Sequence, residues 1–424
     1  MTANESTADG LPPEPLPPYT LLDETPQAPA ETTHNSQSMV PPGFEQAHAD
    51  SWTSASAEKE LFDTIQCIEA TEAMTFMLAG IRGACVSVCT DDGNLYSGHV
   101  CVQTRCTPWS ADTEYPVSVE CMDNGTEIRF ELDARLCGQK AEELRSEYRI
   151  TVPLHTMRTV VLRLSEDSHL DMRRCRGTEN VEIDVAAVEG TVTLGQLSIR
   201  AMRVAIQSGT VDVRGVQCSG QAQFAVKKGR LRIHDVCAQR MRINAPGAAV
   251  TIGDTRAHDV TIETQTAPVE LCRVNATDTM DVKSGSGAIG LDGVAAAFLT
   301  VLADTATVEG VWMVGQQLKI VAAAAVVNGR LCRPEGSHTG CNCTIRTRGM
   351  PVHMQVDADF AGSFDLRANG GIVRFDLAAQ HPATSFSQYF QTWMQGTINS
   401  FGRAYSPYSL FIENENAPIV VTTA

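Results

Sequence analysis

The chain is 424 residues long, carries a formal net charge of −17, and is 43% hydrophobic but only 6% aromatic. That length allows two or three domains or one extended β architecture, and the acid excess speaks against a nucleic-acid partner, because such affinity rests on Lys and Arg neutralising phosphates. No stretch reaches the roughly 18 to 20 uninterrupted apolar residues of a membrane span, and the acidic, Pro-rich N-terminus lacks the basic-then-apolar layout of a signal peptide.

A soluble, intracellular and cytoplasmic chain is therefore expected, with its 14 cysteines reduced. Residues 1–55 hold nine of the 19 prolines and almost no periodic apolar pattern, which reads as a disordered tail. Within it, Leu16-Pro17-Pro18-Tyr19 resembles the Pro-rich ligands of WW-type domains, whose preformed polyproline II shape lowers the cost of ordering. It is the candidate partner-binding motif.

Residues 56–159 read as a short helix followed by a β-rich cap. Leu61, Ile65 and Ile68 fall near helical spacing between Ala57 and Glu72. Farther on, two alternating runs, Val117 to Met122 and Thr126 to Leu132, flank Asn124-Gly125 and predict a hairpin.

From about Val160 to Leu377 the sequence repeats. One apolar column runs Val192, Val211, Leu231, Val250, Val269, Ile289, Val308, Val327. A second runs Val204, Phe224, Met241, Val260, Met280, Leu299, Leu318, and a third Leu197, Val216, Val236, Thr255, Val274, Val294, Met313. Most gaps are 19 or 20 residues. Pairs such as Val211-x-Val213 put two side chains on one face of a strand, and Gly190, Gly209, Gly229, Gly247 and Gly287 mark the turns. The prediction is an all-β fold, a parallel β-solenoid of 19–20-residue coils over residues 160–380, interrupted by a loop from Leu331 to Cys343. Cys218 and Cys237 are expected to stack on one rung as buried small hydrophobes.

Residues 381–424 then form the C-terminal cap. Phe386, Tyr389, Phe390, Trp393, Met394, Ile398 and Phe401 recur at helical spacing, predicting a capping helix over about 385–401 with terminal strands after it.

No catalytic constellation stands out. Gly285-Ser286-Gly287-Ala288-Ile289-Gly290 matches the dinucleotide fingerprint in letters, but Ile289 and Leu291 continue the β column where that motif requires a helix. Cys332, His338, Cys341 and Cys343 are metal-capable side chains within twelve residues, yet their spacing fits no standard structural zinc pattern. No cofactor and no metal are expected.

The recurring strand, Ser-Gly turn and strand, as in Val204-Ala-Ile-Gln-Ser-Gly-Thr-Val-Asp-Val213 and Met280-Asp-Val-Lys-Ser-Gly-Ser-Gly-Ala-Ile289, resembles the β-solenoid domains of unknown function known as the putative adhesin family. The Pro-rich tail is similar to that of fungal-type members. The resemblance implies a non-enzymatic binding or scaffold role with a protein partner, or a carbohydrate one, and brings no catalytic residues. The alternatives are a polysaccharide-active β-helix enzyme and a self-assembling structural protein.

Overall fold

The computed structural model describes residues 64–79, 83–90, 99–107, 117–122, 126–132, 145–153, 157–175, 179–334, 340–357, 360–376, 384–398 and 408–423. Over these the chain is all-β, without a helix, and its strands belong to one compact unit, Glu60–Ala424. The tail with Leu16 to Tyr19, Ala57 to Asp63, Asn124-Gly125 and His338 lie outside the described residues.

The first apolar column is a backbone ladder. Val192 faces Val211, Leu231 faces Val250, and the ladder continues through Val269, Ile289, Val308 and Val327, all in parallel pairing. Parallel strands need a crossover connection, and here the crossover is itself extended chain. Val211 and Val213, then Val216 and Cys218, then Ala222, Phe224 and Val226 are all buried, giving three inward-facing runs per repeat separated by bends. Each buried Val, Leu, Ile or Met contributes roughly 1.5–3 kcal/mol. Six strands close a ring of parallel pairings. Ala201–Ala245 pairs with Gly247–Gly253 and Arg256–Thr264. These pair with Val269–Cys272 and Asn275–Ser284, and both of those pair with Ile289–Ala303.

The bends are built two ways. Gln196, Gly215, Asp235, Asp254, Arg273 and Gly293 repeat one corner in the left-handed conformation, with φ between 47° and 63°. Gly190, Gly209 and Gly229 have φ of 134°, 137° and 113°, and a Cβ on Gly209 would lie 1.9 Å from the Gly190 carbonyl oxygen. Only glycine fits there. Gly247 and Gly287 do not share the positive φ, but a Cβ on Gly287 would still sit 2.0 Å from the Ala267 carbonyl.

Register corrects the sequence columns in three places. The 17-residue step from Phe224 to Met241 crosses from the middle to the first of three inward positions; Met241, Ile243 and Ala245 answer to Ala222, Phe224 and Val226. In the third column Val294 pairs with Trp312, which is fully buried, so Trp312 and not Met313 holds the rung. Cys218 is buried while Cys237 faces solvent and Ala238 takes the inward place. The coil step is 20 residues from Cys218 to the buried Ala238 and 18 from Val294 to Trp312, so Cys237 and Met313 each fall one residue off the local register and take the other face, because side chains alternate with period two.

Both ends of the stack depart from sequence order. Ala73–Ala79 pairs with Thr159–Leu164 on one side and Glu127–Leu132 on the other; Cys85–Thr90 likewise lies between Ser168–Arg174 and Arg145–Val152. At the far end, Tyr408–Asn414 is inserted between Asn342–Thr347 and Gly362–Ala368. Ile419–Thr423 is inserted between Val352–Val356 and Val373–Asp376. Across 333–341 the offset between parallel partners widens, Leu318 facing Cys343 and Val327 facing Val352.

Neither expected helix forms among the described residues. Thr64–Glu69 is a strand antiparallel to His99–Thr107. In place of the capping helix over 385–401, Thr384–Tyr389 and Trp393–Ile398 make an antiparallel hairpin paired onto Gly362–Ala368. The reason is the open strand edge: a helix satisfies its own backbone groups and would leave those of Gly362–Ala368 unpaired. The hairpin expected from Val117 to Leu132 is present, with Val119 facing Phe130.

Candidate functional site

The C-terminal hairpin shapes an open recess of about 430 Å³ on its outer face. Alternation places its lining. Phe364, Met394 and Ile398 point inward, so Ser363, Asp365, Gln395 and Thr397 point out. Cross-strand pairing then aligns Ser409, Ser363, Thr397 and Ser385 in one row, and Phe411, Asp365 and Gln395 in the next. Gly396 is required where the hairpin crosses Phe364, since a Cβ there would come 2.6 Å from the ring. Phe386 packs edge-on against Phe364 at 5.7 Å between centroids while remaining 42% exposed.

Hydrogen bonds hold the polar groups in place. Ser385 Oγ and Thr397 Oγ1 are 2.7 Å apart, and Ser387 donates to the Gln395 carbonyl at 3.2 Å. Asp365 Oδ1 accepts from Trp393 Nε1 at 2.9 Å and from Arg367 Nε at 3.0 Å, and its Oδ2 accepts from Arg367 Nη2 at 2.6 Å. The Arg367 guanidinium lies over both Trp393 and Phe411, 5.5 Å from each ring centroid, and Arg346 lies 5.7 Å from Phe411. This cation–π row keeps two aromatic faces at fixed spacing. The hydrogen bonds that Arg367 donates to Asp365 hold its guanidinium firmly charged. The recess offers hydroxyls, an amide and a carboxylate beside aromatic rings, and its lining has no His, Cys or Lys. Such a surface presents hydrogen-bonding groups and aromatic edges to solvent.

The predicted site residues are distributed differently. Cys343 occupies an inward rung between Leu318 and Leu410, and Cys341 is buried beside it. Burial pushes the Cys341 thiol up to about 11 and the Cys343 thiol well above its ordinary range, so both stay protonated and behave as small apolar groups. Cys332 is partly exposed, and burial raises its thiol too. Gly285 and Gly287 lie in a bend and Gly290 in the strand Ile289–Ala303 that follows it, with no helix for a pyrophosphate. Among the described residues, His258, Asp259 and Asp278 bring three metal-capable atoms within 4.8 Å. Asp259 there accepts from Thr279 at 2.7 Å and faces Arg240 at 3.5 Å, which leaves it committed within the protein. Helical spacing of the apolar residues hides the recess in the sequence; the alternation in Thr384-Ser-Phe-Ser-Gln-Tyr389 and Trp393-Met-Gln-Gly-Thr-Ile398 is the signal that marks its strands.

No family model matches the chain, and no curated protein matches it. Two solved structures are similar to it. One is a putative adhesin from Bacteroides fragilis, 13% identical, covering 63% of this chain and 96% of its own, with a TM-score of 0.32. The other is a putative cell adhesion protein from Clostridium sporogenes, 7% identical, covering 85% of this chain and 99% of its own, with a TM-score of 0.17. At those scores neither likeness bears on what this chain binds.

Proposed function

We propose that the chain is a non-enzymatic, adhesin-like binding protein in which 19–20-residue coils stack as a β-solenoid and the C-terminal recess engages a ligand. The observation that carries this reading is the recess itself, where Ser385, Thr397 and Asp365 are held by hydrogen bonds, the last of them to Trp393 Nε1, beside the Phe386 and Phe411 rings, with the Gln395 amide among them. The pairing of Val192 through Val327 at intervals of 19 or 20 residues supports the stacked coil. In the same reading, Leu16 to Tyr19 recruits a WW-type partner, and the chain lacking residues 1–55 loses that partner without losing the recess ligand.

The test is an array of neutral oligosaccharides and peptides probed with the wild-type protein and with Gln395→Ala and Trp393→Ala. One ligand class retained by wild type and weakened about tenfold or more by each variant, at unchanged melting temperature, is the expected result. Equal retention by wild type and variants removes the recess from the mechanism.

A further inference from the structure

The chain's acid excess hides a local reversal. Between residues 196 and 258 the sequence carries ten Lys and Arg against three Asp and no Glu, a local charge of +7 in a chain of −17. Three of these cations are balanced: Arg200 by Glu182, Arg214 by Asp212 and Arg240 by Asp259. Lys227, Lys228, Arg230 and Arg232 are exposed and, among the described residues, none has an acidic partner. Arg230 and Arg232 stand at alternate positions of one strand and point outward, and Lys227 and Lys228 continue the charge across the bend at Gly229, a line of at most about 13 Å from Lys228 to Arg232. Gly247, Ala249 and Thr251 of the next strand are small and neutral, which leaves that line uncovered.

The borders of the line select its occupant. Glu270 lies two strands away through Thr251, and Asp212 lies on the repeat before. The basic strip is therefore hemmed within about 15 Å on the same flat face. A bilayer or a nucleic-acid duplex, both wider than the strip, would press phosphates onto these carboxylates. Single-stranded nucleic acid draws much of its affinity from aromatic platforms, and the one aromatic residue between 196 and 258, Phe224, is buried. A thin, linear polyanion without bases meets neither objection.

We propose that Lys227, Lys228, Arg230 and Arg232 form a binding strip for a linear acidic polysaccharide carrying sulfate or uronate groups. The strip is separate from the C-terminal recess, so the two ligand assignments stand or fall independently. The anionic groups lie along Lys228, Arg230 and Arg232, with Lys227 at the bend, and the contact is electrostatic and salt-sensitive.

The probe is a heparin-derived octasaccharide, titrated by calorimetry into the full chain and into the Lys228→Gln/Arg230→Gln/Arg232→Gln variant, with Lys319→Gln as a control. All four positions are exposed. The triple variant should bind at least tenfold more weakly than wild type at the same melting temperature, and the control should match wild type. Wild-type affinity should fall roughly 10- to 100-fold between 50 and 200 mM salt, as expected for about four released counterions. Absence of octasaccharide binding, or equal binding by the triple variant, overturns the proposal. Tighter binding of decaglutamate would assign the strip to an acidic peptide instead, and co-sedimentation with phosphatidylserine vesicles would assign it to a membrane.

Discussion

Trp312 shows how a single side chain bends the repeat around itself. Among the described residues it is the largest fully buried side chain, standing where its paired strands use Val294 and Leu331, and its Nε1 finds no hydrogen-bond partner among them. The space comes from Gly329, where a Cβ would lie 2.2 Å from the indole. Gly329→Ala should therefore destabilise the protein by about 1–3 kcal/mol through overpacking. In a Trp312→Leu background that penalty should shrink, a coupling readable from a double-mutant cycle of denaturant midpoints. Arg273 is a second case, a left-handed non-glycine corner whose guanidinium grips Asp254 with Nη2 2.6 Å from Oδ2. The Arg273 hydrogen bond lowers the Asp254 carboxyl below its ordinary 3.8. A lowered folded-state value means the ion pair's contribution is present above the ordinary value and is lost as pH falls through the folded one. Carbon-detected NMR should place the Asp254 midpoint below 3.8, and Arg273→Gln should raise it. At the equivalent corner, Gln196→Gly relieves the left-handed strain and should stabilise by up to about 1 kcal/mol in chemical denaturation.

Among elements, the C-terminal strands carry more than their position in the chain suggests. Tyr408–Asn414 is paired on both sides, and so is Ile419–Thr423. Asn414, fully buried, donates from Nδ2 to the Met350 carbonyl at 2.8 Å and accepts at Oδ1 from the Asn416 and Ala417 amides at 3.2 Å. Removing residues 408–424 strips Gly362–Ala368 and Val373–Asp376 of their parallel partners, so the truncated protein should lose protection from hydrogen exchange across residues 342–376. Retained protection there would show that the inserted strands are dispensable. Asn414→Leu tests the same element more gently, with an expected loss of about 2–4 kcal/mol from unsatisfied buried backbone groups.

At the scale of the described residues as a whole, each strand is held by the strands beside it, so stability should depend on position along the pairing order. The central repeats, residues 201–330, are paired on both sides by parallel ladders. The ends finish in antiparallel strands, Val117–Met122 and Thr64–Glu69 at one end and Thr384–Tyr389 at the other. Native-state hydrogen exchange should give the highest opening free energies in the centre and lower ones toward both ends. Uniform protection along the chain would mean that the stack opens as one cooperative unit.

The sequence by itself determined the β character of the central stretch and the first apolar column, whose members pair 19 or 20 residues apart. These follow from local alternation and from the need of each repeat to present the same inward residues to the next. What it could not determine was register parity, which face a cysteine takes, and the conformation of residues 385–401, where apolar spacing fits a helix and a hairpin alike. Tertiary structure decided those points through backbone pairing: an open strand edge at Gly362–Ala368 demands hydrogen-bond partners that only another strand supplies. The same holds for the recess and the basic strip. The recess residues are separated along the chain and meet only through backbone pairing, whereas the basic residues are contiguous but hidden by the overall charge, and the small neighbours Gly247, Ala249 and Thr251 that leave them uncovered are set beside them by parallel register.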